Sequence, residues 1–494
     1  MMYLDLTVTN ILLTLTLTLV FLYAYKWIRN RNYPPGPIGL PIIGYYPFLG
    51  KKPNLTLRDL SNKYGDIFSL YIGPQLMIII SDHELAKEIL NHPMAMARPP
   101  HSLDFLVGKG GFIGMNGEEW QEQRRFVLHT MRNLGMGKGL WETIIQEDAA
   151  EFVKELKKAA GEPVSFSEPL ANSQITNSVS LLFGRHLDHE TEKEDIEIIK
   201  EFRRQMAGQG SSVDVNMNIP GLMSLLMFFN VFGIRDFITQ LRKFENIFKK
   251  EVEKRIEKKD EITRDDFIGC FLQEIEKRAK DTQPHTFTID TLRGNLLILF
   301  LTGQDSNVAS VTWLLLLMAK YPDVQEKVCD EIDRVIGRDG TVYYGDKLKL
   351  PYSMATVQEM LRYIAIAPLF PPRYVLESLS FGGYTIPRGS HVICNNWAIS
   401  HDQRYFEDPI TFKPERFLSE DKSKVEKLKG YGPFSFGKRN CPGEGVAMMT
   451  IYLFFVSIMQ KFKIQGPHGL PPNMDYTFGS GLYPIEQKLC FIER

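Results

Sequence analysis

Apolar and polar positions divide this chain into a short N-terminal apolar run and a long, mostly helical body. Residues 6–25 carry no charge, and Lys26, Arg29 and Arg31 follow at once. That run matches the ~20 apolar residues a membrane-spanning helix requires. Its basic flank predicts, by the positive-inside rule, that everything after it stays on the cytoplasmic side. The proline-rich segment 33–41 then reads as a stiff, extended spacer, because proline fixes φ and lacks an amide donor.

In the body, helical periodicity covers 142–157, 237–258, 289–320 and 322–336. Two β-rich runs around Gly73-Pro74 predict a hairpin over 67–81, and 379–386 and 391–397 read as further strands. No internal repeat or low-complexity linker interrupts this pattern, so one large domain is expected, mainly α with small β-sheets. The segment 217–232 is too short and broken to span a bilayer. A helix dipping into the membrane interface and an ordinary buried helix both fit it.

The main irregularity is 296–319, where two apolar blocks are interrupted by Thr302-Gly303-Gln304-Asp305-Ser306-Asn307. A membrane span here would place Asp305 in hydrocarbon, at substantial cost. Apolar flanks of this kind fit a helix buried on all sides in a large core.

Composition narrows the function classes. With 58 basic and 59 acidic residues, the chain makes no overall electrostatic case for a nucleic-acid partner. Its five cysteines are scattered and contain no CxxC pair, which argues against a disulfide framework or a structural zinc site and fits a reducing compartment. The sequon Asn54-Leu55-Thr56 then lies on the side of the membrane without glycosylation machinery.

One cysteine stands apart from the other four. The stretch 434–445 reads Phe434-Ser-Phe-Gly437-Lys-Arg439-Asn-Cys441-Pro-Gly443-Glu-Gly445, and its glycines let the backbone approach a flat object closely. This segment resembles the F-x-x-G-x-R-x-C-x-G signature of the cytochrome P-450 superfamily at every fixed position. The resemblance implies haem b with Cys441 as axial thiolate, an anionic ligand that favours O–O cleavage. Amides from Gly443 onward, at the start of a following helix, can stabilise that sulfur.

Companion motifs agree. Glu359-Met-Leu-Arg362 is similar to the family's E-x-x-R pair, and Arg416 in Pro414-Glu-Arg-Phe417 to the third member of that network, with a structural role implied for all three. Trp120 and Arg124 match the W-x-x-x-R helix, and with Arg373 and Arg439 the resemblance makes them candidates to hold the haem propionates. The break at 302–307 falls where the family has [A/G]-G-x-[D/E]-T-[T/S]. There Asp305 and Ser306 would relay protons to bound dioxygen. Thr302, Ser306 and Asn307 depart from the family pattern, and serine loses the methyl that limits χ1.

The resemblance, of microsomal type, covers nearly the whole chain. It implies an anchor at 1–25, a basic flank and hinge at 26–41, and a haem-thiolate domain at 42–494 in the endoplasmic reticulum membrane. The expected activity is insertion of one oxygen atom from O2 into a lipophilic small molecule such as a steroid, fatty acid or xenobiotic. The pocket would be lined from segments after Arg98 and at 217–232, 297–306, 366–371 and 479–482. Electrons would come from NADPH through a flavoprotein reductase, with cytochrome b5 as a second candidate donor. A basic face of Arg124, Arg125, Arg132, Lys138, the lysines of 422–429 and Lys438 would receive the reductase. Two rival readings are a haem-thiolate isomerase or dehydratase working on hydroperoxides without external electrons, and a non-catalytic haem or lipid binder. Asp305 and Ser306 favour the monooxygenase over the first, and the intact Cys441 segment weighs against the second.

Overall fold

The computed structural model describes residues 10, 13, 14, 16, 17, 31–100, 111–135, 139–185, 187, 188, 190–216, 230, 233–257, 266–280 and 284–494, with side chains left out at 206–216 and 234. The expected membrane anchor at 6–25, the segment 217–232 and Lys138 fall almost wholly outside these residues. Among the described residues, no helix is long and apolar enough to cross a membrane.

In chain order, helix α1 (Pro53–Tyr64) leads into the hairpin β1 (Ile67–Ile72) and β2 (Gln75–Ile80). Helices α2 (His83–Asn91), α3 (Gly117–Asn133) and α4 (Leu140–Lys157) follow. The short strand β3 (Val164–Ser165) precedes α5 (Ser167–Phe183), α6 (Lys193–Asn216), α7 (Ile234–Glu257) and α8 (Phe267–Arg278). Next come the long α9 (Ile289–Lys320), α10 (Pro322–Val335) and α11 (Pro351–Ile364). Strands β4 (Arg373–Tyr374), β5 (Leu379–Phe381), β6 (Tyr384–Ile386) and β7 (His391–Cys394) lead to the short α12 (Asn396–Ser400). The chain ends with α13 (Glu444–Lys461), β8 (Phe462–Gln465), β9 (Tyr476–Phe478), β10 (Leu482–Pro484) and β11 (Lys488–Glu493).

The four long helices expected from periodicity are all present, and α9 has the expected bounds. It starts at Thr288, whose hydroxyl caps the Thr291 amide, and stops before Pro322. Apolar all round, α9 is buried along nearly its whole length and packs with α4, α5 and α13 as a bundle. One continuous hydrophobic core fills that bundle, and two smaller clusters lie under the sheet.

The expected hairpin over 67–81 is β1–β2, antiparallel with Ile67 opposite Ile80. Strand β7 adds in parallel to β2, and β4 pairs antiparallel with β7. The strand expected over 391–397 is shorter than its apolar run. It ends at Cys394 because Asn395 accepts from the Ala398 amide at 3.2 Å and starts α12, which takes in Trp397. The proline segment is also less free than a spacer. Ser69 donates its amide to Pro35 O at 2.7 Å and its hydroxyl to Pro34 O at 2.6 Å. A Cβ at Gly36 would come within 1.6 Å of Ser69 O, so only glycine lets the segment lie against β1. The sequon asparagine, Asn54, is fully buried and donates to the Tyr476 hydroxyl at 3.0 Å, which closes it to modification in the folded chain.

Candidate functional site

The site is built around the turn that precedes α13. Cys441 donates its amide to Phe434 O at 2.9 Å, and inside that loop Asn440 N–H reaches Gly437 O at 3.1 Å. Gly437 sits at φ +76°, and a Cβ there would lie 2.8 Å from Leu90 O, so the loop closes on the end of α2 only with glycine. Ser435 adopts φ +68°, a conformation costly for a side-chain-bearing residue and held by the surrounding bonds.

Cys441 differs from Cys329, Cys394 and Cys490, whose thiols are buried. Its side chain is accessible to a water-sized probe, yet burial still pushes the thiol up, so it opens into an enclosed space rather than onto the outer surface. The amides of Gly443 and Glu444 and the Arg124 guanidinium pull the other way. A Cβ at Gly443 would touch only the sulfur, at 3.9 Å, so the approach to it is clear.

Beside this thiol lies a set of buried cations. Arg98, Arg373 and Arg439 are 5%, 2% and 7% exposed, and Arg124 is half-buried. Their hydrogen bonds go to neutral oxygens. Arg98 donates to Pro371 O and Pro372 O at 2.7 and 2.8 Å, and Arg439 to Met115 O at 2.6 Å and Asn116 Oδ1 at 3.0 Å. Arg124 donates to Asn440 O and Oδ1 at 2.9 and 2.7 Å. No described carboxylate pairs with any of the four. Buried Nε atoms of Arg98, Arg373 and Arg439, and Nη1 of Arg373, have no partner at all.

Burial lowers Arg373 to about 10 and Arg439 to about 9, with neighbouring arginines pushing in the same direction. Arg98 is lowered well below its ordinary range by burial and then by Arg373, Arg439 and Arg124. A buried group of like charges is stable only with an anion that belongs there. Trp120 is the platform beneath it, with the Arg439 guanidinium 4.1 Å above the indole ring.

The loop bearing Cys441 is supported by the second network expected from the motifs. Glu359 and Arg362 are fully buried and joined by two bonds of 2.7 and 2.8 Å. Arg362 also donates to Ser400 O and Pro409 O, and Arg416 bridges Glu359 Oε1 at 3.0 Å to Glu407 O at 2.8 Å. Spaced at i, i+3 on α11, the pair ties the chain between α12 and α13 to the helical core.

On α9 the polar break does not interrupt the helix. Thr302, Ser306 and Ser310 each donate to the carbonyl four residues back, at 2.7, 2.8 and 2.6 Å. Thr302 and Ser306 are accessible within an otherwise buried helix, and a Cβ at Gly303 would meet nothing within 4 Å. Asp305 is pushed up to about 7 by burial, against the opposing pull of Arg203 on α6.

The residues expected from sequence therefore fall into two groups. Trp120, Arg124, Arg373 and Arg439 gather with Cys441, and Asp305 and Ser306 form a second group on α9. Arg98 belongs to the first and Arg203 to the second. Neither carries a local sequence signal, since Ala97-Arg98-Pro99 and Arg203-Arg204 read as ordinary turn and helix-surface residues. Of the expected basic face, Arg125, Arg132 and Lys438 are exposed. Arg124, Arg125 and Lys438 line one surface depression with Trp120. Lys429 is taken up by Glu84 at 3.2 Å.

A family model described as Cytochrome P450 matches residues 34–491. The chain is 32% identical over 481 residues to mouse (Mus musculus) "Cytochrome P450 2J5", covering 94% of this chain and 92% of that one. It is 32% identical over 474 residues to rabbit (Oryctolagus cuniculus) "Cytochrome P450 2J1", covering 95% and 93%. It is also 32% identical over 494 residues to rat (Rattus norvegicus) "Cytochrome P450 2C7", covering 98% and 99%.

Proposed function

Since the chain belongs to the cytochrome P-450 family and is one of its monooxygenases, we propose that it inserts one atom of O2 into a lipophilic small molecule, with Cys441 as the axial thiolate of haem b. The observation that carries this reading is the pairing of an accessible thiol inside the protein body with buried arginines that lack any anion. The two haem propionates supply the missing charge, held by Arg98, Arg373, Arg439 and Arg124 and by the Trp120 indole N–H. The haem, when bound, supplies the redox chemistry that activates oxygen.

The chain's own residues prepare that chemistry. Amides of Gly443 and Glu444 stabilise the thiolate, and the Glu359–Arg362–Arg416 network holds its loop. Gly303 leaves room on the opposing helix. Asp305, poised near neutrality, takes protons from solvent, and the Ser306 hydroxyl passes them on. Electrons come from NADPH through a flavoprotein reductase docking at Arg125, Arg132 and Lys438, with cytochrome b5 as a second donor. Residues 6–25 anchor the chain in the endoplasmic reticulum membrane, leaving 42–494 as the cytoplasmic catalytic domain behind the hinge of 26–41.

The test is to reduce the purified protein under carbon monoxide and then to measure product with and without reductase. A long-wavelength Soret band is expected and should vanish in Cys441→Ser. Its absence from folded wild type would sink the haem assignment. Product formed from a hydroperoxide alone, and not with reductase and O2, would select isomerase chemistry instead.

A further inference from the structure

Helix α6 carries three cations within two turns, and two of them are paired. Lys200 binds Glu168 and Glu197 at 3.1 and 3.0 Å, and Arg204 binds Glu201 at 3.1 Å. Arg203 pairs with nothing. Its Nε is buried without a hydrogen-bond partner, and no described carboxylate lies within ion-pair distance.

Arg203 is turned inward. The groups that feel its charge are Asp305 on α9 and Tyr483 on β10. The β9–β10 hairpin is held firmly in this region. Trp313 Nε1 donates to Leu482 O at 2.9 Å, and the Leu482 amide donates to Ile366 O at 2.9 Å. The hydroxyls of Ser480 and Tyr483 share a bond of 2.6 Å, and α6 rests on β9. Three elements distant in sequence thus bring one unpaired guanidinium and two hydroxyls together beside the polar break of α9.

An unpaired, partly buried guanidinium is expensive unless a ligand completes it. Asp305 does not complete it, since it makes no ion pair and burial keeps its carboxyl half-protonated near neutral pH. The surroundings that Arg203 faces are otherwise apolar, including Leu297 and Phe300 on α9. A ligand for this site therefore has an apolar body and one anionic end.

We propose that Arg203 anchors the carboxylate of a lipophilic acid substrate, with the Ser480 and Tyr483 hydroxyls as accessory donors. This rests on the monooxygenase reading and narrows its substrate to long-chain acids. Holding the head group also limits which carbons of the chain come opposite Ser306. Arg203 from α6 and Tyr483 from β10 are the charged and titratable groups facing Asp305. A carboxylate bound there adds a like charge, so Asp305 takes up a proton on binding. Acid affinity should then weaken above about pH 7, and ester affinity should not.

The test uses the full-length, haem-loaded protein with saturated C12, C16 and C20 acids and their methyl esters. Binding is measured by equilibrium dialysis of labelled ligand, so that it does not depend on turnover. Wild type should prefer acid to ester by about tenfold or more at one or more chain lengths, the scale of a charge-assisted hydrogen bond. Arg203→Gln should remove that preference and leave ester binding in place, and Arg203→Lys should restore part of it. Oxidation products of the acid should spread over more carbons in Arg203→Gln. The melting temperature and carbon monoxide spectrum of each variant establish that it is folded and loaded. No acid preference in wild type, or an equal preference in Arg203→Gln, overturns the proposal. Raised peroxide release in Arg203→Gln with acid binding intact also overturns it, assigning Arg203 to Asp305 alone. Failure of the haem reading would show separately, as loss of the thiolate spectrum in wild type.

Discussion

Asp305→Asn separates what this residue costs the fold from what it gives the reaction. Burial moves the carboxyl from 3.8 to about 7, and each tenfold change in proton affinity is about 1.36 kcal/mol. The folded value lies above the unfolded one, so the folded chain holds the extra proton between roughly pH 4 and 7. Wild-type stability therefore falls as pH rises through that window and stays level above it. The penalty is about 2 kcal/mol at pH 5.5 and about 4 kcal/mol above pH 7.5, as an upper estimate. With an unfolding entropy of ~2.1 cal/mol/K per residue, a chain of this size shifts its melting temperature by about 1 °C per kcal/mol. Asparagine removes the titration. The melting-temperature gap between Asp305→Asn and wild type should widen in the variant's favour by about 2 °C from pH 5.5 to 7.5, then stay flat to pH 8.5. Any constant offset from burying an amide drops out of that slope. Thermal melts at one fixed scan rate measure it. A gap that is independent of pH, or that narrows as pH rises, would refute the assignment of Asp305 as a buried, near-neutral acid. The same variant should release more peroxide per NADPH consumed, because proton delivery to oxygen loses its acid.

Three further outcomes are expected. Ser306→Ala should leave the carbon monoxide spectrum intact and raise peroxide release per NADPH; unchanged coupling would remove Ser306 from the relay. Glu359→Gln leaves Arg362 and Arg416 without their shared anion, and such breaks cost ~3–5 kcal/mol. Haem occupancy and melting temperature should both fall, and a variant that kept both would show the network is dispensable. Charge reversal at Arg132 and Lys438 should slow reduction by the reductase and flatten its dependence on ionic strength. Rates that ignored both changes would move the docking face elsewhere.

Much of the helical scaffold was legible from periodicity alone. Helix α9 is the clearest case, since its capping threonine, terminal proline and polar break all lie in local sequence. The strand expected through Trp397 shows the limit of that reasoning. An apolar run cannot reveal that Asn395 will cap a helix until neighbouring strands fix where β7 stops. Helices α5 and α6 were missed because mixed polar and apolar positions gave weak periodicity, and packing against α9 and α7 supplies what propensity does not.

The sequence by itself determined the residues whose role lies in local spacing: the glycine-flanked Cys441, the i, i+3 pair Glu359 and Arg362, and the acid and hydroxyl inside an apolar helix. Those patterns survive in one dimension because a turn or a helical face brings their members together. Only the tertiary structure decided which isolated cations lack a partner. Arg98 and Arg203 look like any other arginines in the chain, and nothing next to them in sequence sets them apart. Burial without a counter-charge is a property of several elements meeting, as α3, β4 and the Cys441 loop meet near Arg98, and as α6, α9 and β10 meet near Arg203.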